Sequence, residues 1–430
     1  MKKNCLLFLC LFFCNLLFAN SYAAIQCSKN EAYVLKIENS SAGLYSCIVS
    51  GDCVKNEKLV NHFIPGLSAK KFTSVHSFLS PVYSGFILSD ENINQSNEFS
   101  LLYKSTGNEF EFLSFNTESF YEAIEFYYLI EKTLNVFFRA ETNLIQLKID
   151  LVEKNIISTE LLLEGSEFYA FNFYKGKLLL TSYSDNSLSF YFDSKKIYEL
   201  NCEEVSIKNF RVSIIDEKIY VIVFNSDNSF EIYKAEYDAR FTQEKIYSNA
   251  FNELNINQIL DFSVVNVFDS NEVFYLKYKS EDDSSECVSF VLFTNEKILY
   301  KSQNGLDSFI SCLSDDSSVF FLAQEKTLEE VKFEISGNKY LITSELFELK
   351  DDFIYLNPVF YKYKLPLFYD LKKSNLVFFE TRKNEYFYKP FPIQNDFSFS
   401  KSSGFIQSNF FNGKCLLFFI NENQIFSLEY

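Results

Sequence analysis

Three places in this chain set two carboxylates side by side: Asp282-Asp283, Asp315-Asp316 and Asp351-Asp352. Paired acids can divide the work of glycoside cleavage between them when they face each other across about 5–10 Å. Each of these pairs, however, lies among Ser, Lys or Glu in a turn, where solvated charge is the ordinary reading. Residues 281–286, EDDSSE, offer oxygen ligands but lack the alternating acids and the Gly of a calcium loop. His62, on an expected loop, and His76, on an expected first strand, are the two histidines. No HExxH, His/Cys cluster, GxSxG elbow or phosphate loop accompanies them, so neither a metal nor a cofactor is expected and no catalytic residue is assigned. Of four arginines, Arg139 follows LNVFF, and Arg382 lies three positions further along what reads as the equivalent strand. Two guanidinia on one rim would hold an anionic ligand, which makes Arg139 and Arg382 the expected ligand-binding residues.

Cysteine chemistry depends on the compartment, and the first residues speak to that. Lys2 and Lys3 precede an apolar run from Cys5 to Phe18, followed by small residues at Ser21, Ala23 and Ala24. This is the pattern of a secretory signal peptide, with cleavage expected after Ala23 and a mature chain of residues 24–430. The apolar run is too short for a membrane span, which needs roughly 20 residues, and no second long one follows. Lipid anchoring through Cys27 is the alternative, against which Gln26 stands where a small residue is wanted. Export to the periplasm or cell surface permits disulfides, and Cys47 and Cys53 flank turn-like residues 48–52, so a local bridge between them is expected. Cys415 opens the apolar run CLLFFI and reads as a small buried hydrophobe.

Charge narrows the partners. Without Lys2 and Lys3 the chain carries 38 basic and 57 acidic residues, a net charge of −19. A field of that sign repels phosphate backbones and anionic lipid, which speaks against nucleic acid and membrane surfaces and leaves a protein or glycan partner. The 51 Phe and 28 Tyr could stack on sugars, but strand propensity explains most of them.

The elements that would position these residues are strands. From end to end, short apolar runs alternate with turns, and SDNS at residues 184–187 returns at residues 226–229 between the same two strands. Val136-Phe137-Phe138, Val319-Phe320-Phe321 and Val377-Phe378-Phe379, with Val273-Phe274-Tyr275, mark an expected second strand at a period averaging about 46 residues, within the range of solenoids, propellers and arrays. Runs such as IYVIVF and CLLFFI are apolar at consecutive positions, which implies burial on both faces and hairpins stacked face to face. A β-sandwich array or an outer-membrane barrel would instead alternate apolar and polar residues, and helical spacing is scarce.

Four-stranded units of this length, stacked by their faces, resemble the blades of β-propellers in repeat form. The resemblance implies one all-β propeller over residues 24–430. Eight blades are the economical count if AYVLKIEN pairs beside QIFSLEY to complete the last one, with seven as the alternative. No Trp is present and Gly numbers only 11, so the signatures of the tryptophan–aspartate and kelch propellers are missing and no family's functional residues carry over. The function expected is binding or protein interaction on a rigid scaffold in the cell envelope, with a glycan-active hydrolase or lyase bearing acids at the axial opening as the alternative.

Overall fold

The computed structural model describes strands from Tyr22 to Glu429. Residues 1–21, the connections 91–97, 202–206, 251–255, 281–287, 361–364, 371–374 and 393–403, and further short turns lie outside the described residues, as do the side chains from residue 349 onward. The described strands make nine four-stranded antiparallel sheets, here sheets 1 to 9. Sheets 2 to 8 are simple meanders over residues 72–116, 123–163, 168–201, 207–248, 256–301, 308–348 and 353–392. Sheet 1 joins Tyr22–Ser28, Glu31–Glu38, Ser41–Ile48 and Val60–His62, and sheet 9 joins Gly404–Phe411, Lys414–Asn421 and Gln424–Glu429 to Lys55–Asn56.

The pattern of burial explains the stacking. In the second strands, residues 134–138 and 219–225 are buried without a break, so both faces of the strand are covered. Outer strands behave differently: Asn155–Leu163 alternates exposed and half-buried positions along most of its length. Gly85 is fixed by this close packing, because a Cβ there would meet Leu102 O at 2.5 Å and Tyr103 Cβ at 2.6 Å.

The chain forms two compact units. One, Gly165–Asp351, holds sheets 4 to 7, with apolar cores between sheets 4 and 5, 5 and 6, and 6 and 7. Phe274 lies in the middle core, its ring 5.8 Å from Phe262, 5.4 Å from Phe293 and 6.2 Å from Tyr220. The other unit, Cys10–Glu164 with Asp352–Tyr430, holds sheets 1 to 3, 8 and 9, with described cores between sheets 1 and 2 and between 2 and 3. Consecutive meanders packed by their faces are the units of propeller-type repeats, so the all-β repeat architecture expected from the sequence is the one the chain adopts.

The differences concentrate near the chain ends. Gln424–Glu429 is completed by Lys55–Asn56, through the pairs Phe426 to Asn56 and Ser427 to Lys55, and not by Glu31–Glu38. Glu31–Glu38 is unavailable because Tyr22–Ser28 occupies its free side and buries Ala23 and Ile25. The described sheets therefore number nine, against the eight that followed from pairing AYVLKIEN with QIFSLEY, or seven as the alternative. In sheet 8 the strand Leu365–Asp370 takes second place, which moves Val377-Phe378-Phe379 to the third strand. His62 ends the short strand Val60–His62 instead of lying on a loop.

Candidate functional site

Arg139 and Arg382 do not occupy equivalent positions. Arg139 is the seventh residue of Thr133–Ala140, the second strand of sheet 3, whereas Arg382 closes Asn375–Arg382, the third strand of sheet 8. Neighbouring strands run in opposite directions, so the shared rim that motivated the pair does not follow from the strand order. The Arg139 side chain, 46 % exposed, sets its Nε 3.4 Å from Glu125 Oε1. The Arg382 side chain, the three acid pairs, residues 281–286, Cys53 and the side chains of Cys27, Cys47 and Cys415 lie outside the described residues.

Both histidines are packed into the fabric of the sheets. His62 Nε2 lies 2.7 Å from Ser46 Oγ on the adjacent strand, and its ring is 5.7 Å from that of Tyr33. The His76 ring meets Tyr127 edge-on at 5.8 Å, and burial lowers its pKa to about 4, which keeps the imidazole neutral at physiological pH. Among the described residues, no three of His, Cys, Asp and Glu come together as a metal site.

A different cluster gathers on the first strands of sheets 5 and 6. Each of these strands, Ile207–Ile215 and Ile256–Phe268, carries an irregularity close to a charged residue. The register shifts between Ile207 and Asn209, two residues ahead of Arg211, and again between Ile259 and Asp261. Such bulges twist a strand and re-aim its side chains. The second shift sets Asp261 opposite Lys277 and leaves Leu260 outside the regular ladder. Across the two sheets, Arg211 Nε donates to Leu260 O at 3.5 Å, while Nη1 donates to Asn209 Oδ1 at 3.1 Å and to Phe210 O at 3.0 Å. Its Nη2 group meets no acceptor among the described residues.

The acid in the cluster is fully engaged. Asp261 Oδ1 accepts from Phe262 N at 2.9 Å and Oδ2 accepts from Tyr275 OH at 2.8 Å. Burial pulls down the pKa of both Arg211 and Lys277, and the Asp261 carboxylate opposes that pull in each. Just beyond, Ser213 Oγ and Ser263 Oγ lie 2.8 Å apart. Asp261 thus faces two half-buried cations, Arg211 and Lys277. The Nη2 group of Arg211 can donate charge-assisted hydrogen bonds to an incoming anion. The sequence carried a signal for it: Arg211 and Asp261 each stand two residues before a serine, Ser213 and Ser263, in successive repeats.

No family model and no curated protein matches the chain. Among solved structures, the WD40 domain of SCAP from fission yeast aligns over 83 % of this chain and 95 % of its own at 9 % identity, with a TM-score of 0.44. A post-proline cleaving enzyme from Rickettsia typhi aligns over 80 % of this chain at 10 % identity and a TM-score of 0.40, and the chain spans only 57 % of it. The BP39L lectin from Burkholderia pseudomallei aligns over 78 % of this chain and all of its own at 8 % identity and a TM-score of 0.36. Likenesses this distant leave the fold to rest on strand order and packing.

Proposed function

We propose that the chain is an exported, propeller-type binding scaffold of the cell envelope that holds an acidic group of a protein or glycan partner on Arg211 and Lys277. The Arg211 guanidinium carries this reading: it is half-buried, oriented by three protein acceptors, and has its Nη2 face unused. Orientation before binding lowers the entropy lost on binding, and partial burial strengthens each charged hydrogen bond. Export is supported by the leader-like residues 1–23. Removal of those residues takes Tyr22 and buried Ala23 from the first strand of sheet 1 and keeps its buried Ile25 in the mature protein.

The test is co-purification from the native envelope, with retained components identified by mass spectrometry. Arg211→Ala is expected to lower retention of the principal component at least tenfold, and Arg211→Lys, which keeps charge but loses the planar fork, to recover only part of it. Arg139→Ala and Arg382→Ala run beside them. Retention lost in those two and unchanged in Arg211→Ala would move the site to the pair named by the sequence and refute the present one.

A further inference from the structure

Outer strands of stacked sheets present unpaired backbone groups, and proteins protect such edges with charges, prolines or short lengths. Most fourth strands here follow that rule. Lys195–Asn201 carries Lys195, Lys196 and Glu199, and Arg240–Ser248 carries Arg240, Glu244 and Lys245. Lys339–Glu348 carries Lys339, Glu345 and Glu348, Glu385–Pro392 has two charges and two prolines, and Ile298–Lys301 has four residues. Asn155–Leu163, the edge of sheet 3, departs from it. Its nine residues, NIISTELLL, hold one charge, Glu160, and that carboxylate is taken up by Lys148 Nζ of the neighbouring strand at 2.8 Å. On its outward face Ile157 and Leu161 are 54 % and 58 % exposed, with exposed Thr159 between them.

We propose that this edge pairs with the same edge of a second copy, antiparallel, about a two-fold axis through Thr159. The sequence of the strand is complementary to itself about that point. With Thr159 opposite Thr159, Ile157 of each copy faces Leu161 of the other on the outward face, and Ser158 faces Glu160 on the inward one. No two like charges meet, because the single acid opposes a hydroxyl and keeps its own lysine. Two apolar pairs flanking a threonine pair are favourable cross-strand neighbours, and a two-fold axis requires such a self-matching patch. A register shifted by two residues would oppose Ile157 to Thr159 and lose the match. The interface is small, which makes the association reversible. Each exported copy carries a net charge of −19, so added salt tightens it by screening the repulsion.

The experiment uses the full exported chain, followed by sedimentation over about a hundredfold range of concentration and at two ionic strengths. A monomer–dimer equilibrium that strengthens with salt is expected, weakened at least tenfold in Ile157→Lys/Leu161→Lys, with an unchanged circular dichroism spectrum marking an intact fold. Register is read by oxidation against the unsubstituted chain: Thr159→Cys gives a new covalent dimer, Ile157→Cys alone does not, and Ile157→Cys/Leu161→Cys does. A monomer at every concentration overturns the proposal. So does a dimer that survives the lysine substitutions, a Thr159→Cys chain that gains no cross-link, or an edge that captures only an extended segment of some other protein.

Discussion

The ion pair between Lys234 and Glu272 ties sheet 5 to sheet 6, and removing half of it separates two opposing expectations. Lys234 lies on Phe230–Asp238 and Glu272 on Asn271–Ser280, with Nζ 2.9 Å from Oε1. The side chains are only 20 % and 7 % exposed, so each charge has given up most of its water. Lys234→Met keeps the aliphatic stem but strands the carboxylate, and breaking a buried pair in this way costs about 3–5 kcal/mol. The residual exposure of Lys234 places the expected loss at the lower end, about 3 kcal/mol. Lys234→Met/Glu272→Leu removes both charges and should return to within about 1 kcal/mol of the original protein, because the desolvation of the pair is removed with it. Glu272→Leu strands Lys234 in turn, so the coupling, which is the two single losses less that of the double variant, should exceed about 2 kcal/mol. Lys196→Met, in a pair whose side chains are 43 % and 48 % exposed, serves as the control and should cost under about 1 kcal/mol. Unfolding in urea can be followed by tyrosine fluorescence, since the chain has no Trp, with hydrogen exchange assigning the transition to residues 207–301. A loss below about 1 kcal/mol for Lys234→Met, or two single changes that simply add, would refute the account of this contact as a buried, mutually dependent pair.

Two further outcomes follow from contacts in the other unit and from the N-terminal residues. His76 titrates near 6.5 when unfolded and at about 4 when folded, so the unfolded chain binds more protons between those values. Its contribution to stability is complete above pH 6.5 and declines as the pH falls toward 4; His76→Phe should flatten that part of the profile of urea midpoint against pH, and a profile of unchanged slope would contradict it. Intact-mass measurement of the exported protein should give a chain beginning at Ala24, which leaves out buried Ala23 and keeps buried Ile25; a mature form starting beyond Ile25 would contradict the proposed leader.

Much of the strand pattern is legible because a doubly buried strand leaves an unmistakable trace in composition. Ile219, Tyr220, Val221, Ile222, Val223 and Phe224 are all buried, and that run can be recognised without knowing what covers it. Tyr22–Ser28 hides for the opposite reason: Ala23, which packs in the core shared with sheet 2, and Ala24 beside it are the small residues that mark a cleavage site. Leu365–Asp370 hides behind Pro366 and its six-residue length, both of which read as a connection. The candidate site was half visible. Arg211 and Asp261 share their distance from a serine, but the bulges that aim them arise from strand pairing, and no residue type in either strand announces one. Arg139 and Arg382 show the converse error, in which a repeated phrase, Val-Phe-Phe, occurs on strands of different rank.

The two-residue strand Lys55–Asn56 has a consequence in time. Asn56 pairs with Phe426, some 370 residues later in the chain. At roughly 5–20 residues per second, a ribosome needs about 20–70 s to deliver the partner after Asn56 has emerged. During that interval sheets 1 to 8 can each form as their own strands emerge, whereas Lys55–Asn56 has to wait for the three later strands of sheet 9. Closing so long a loop for two backbone pairs is an entropically poor bargain until the surrounding sheets are in place. The seam is then expected to be the last part of this fold to assemble.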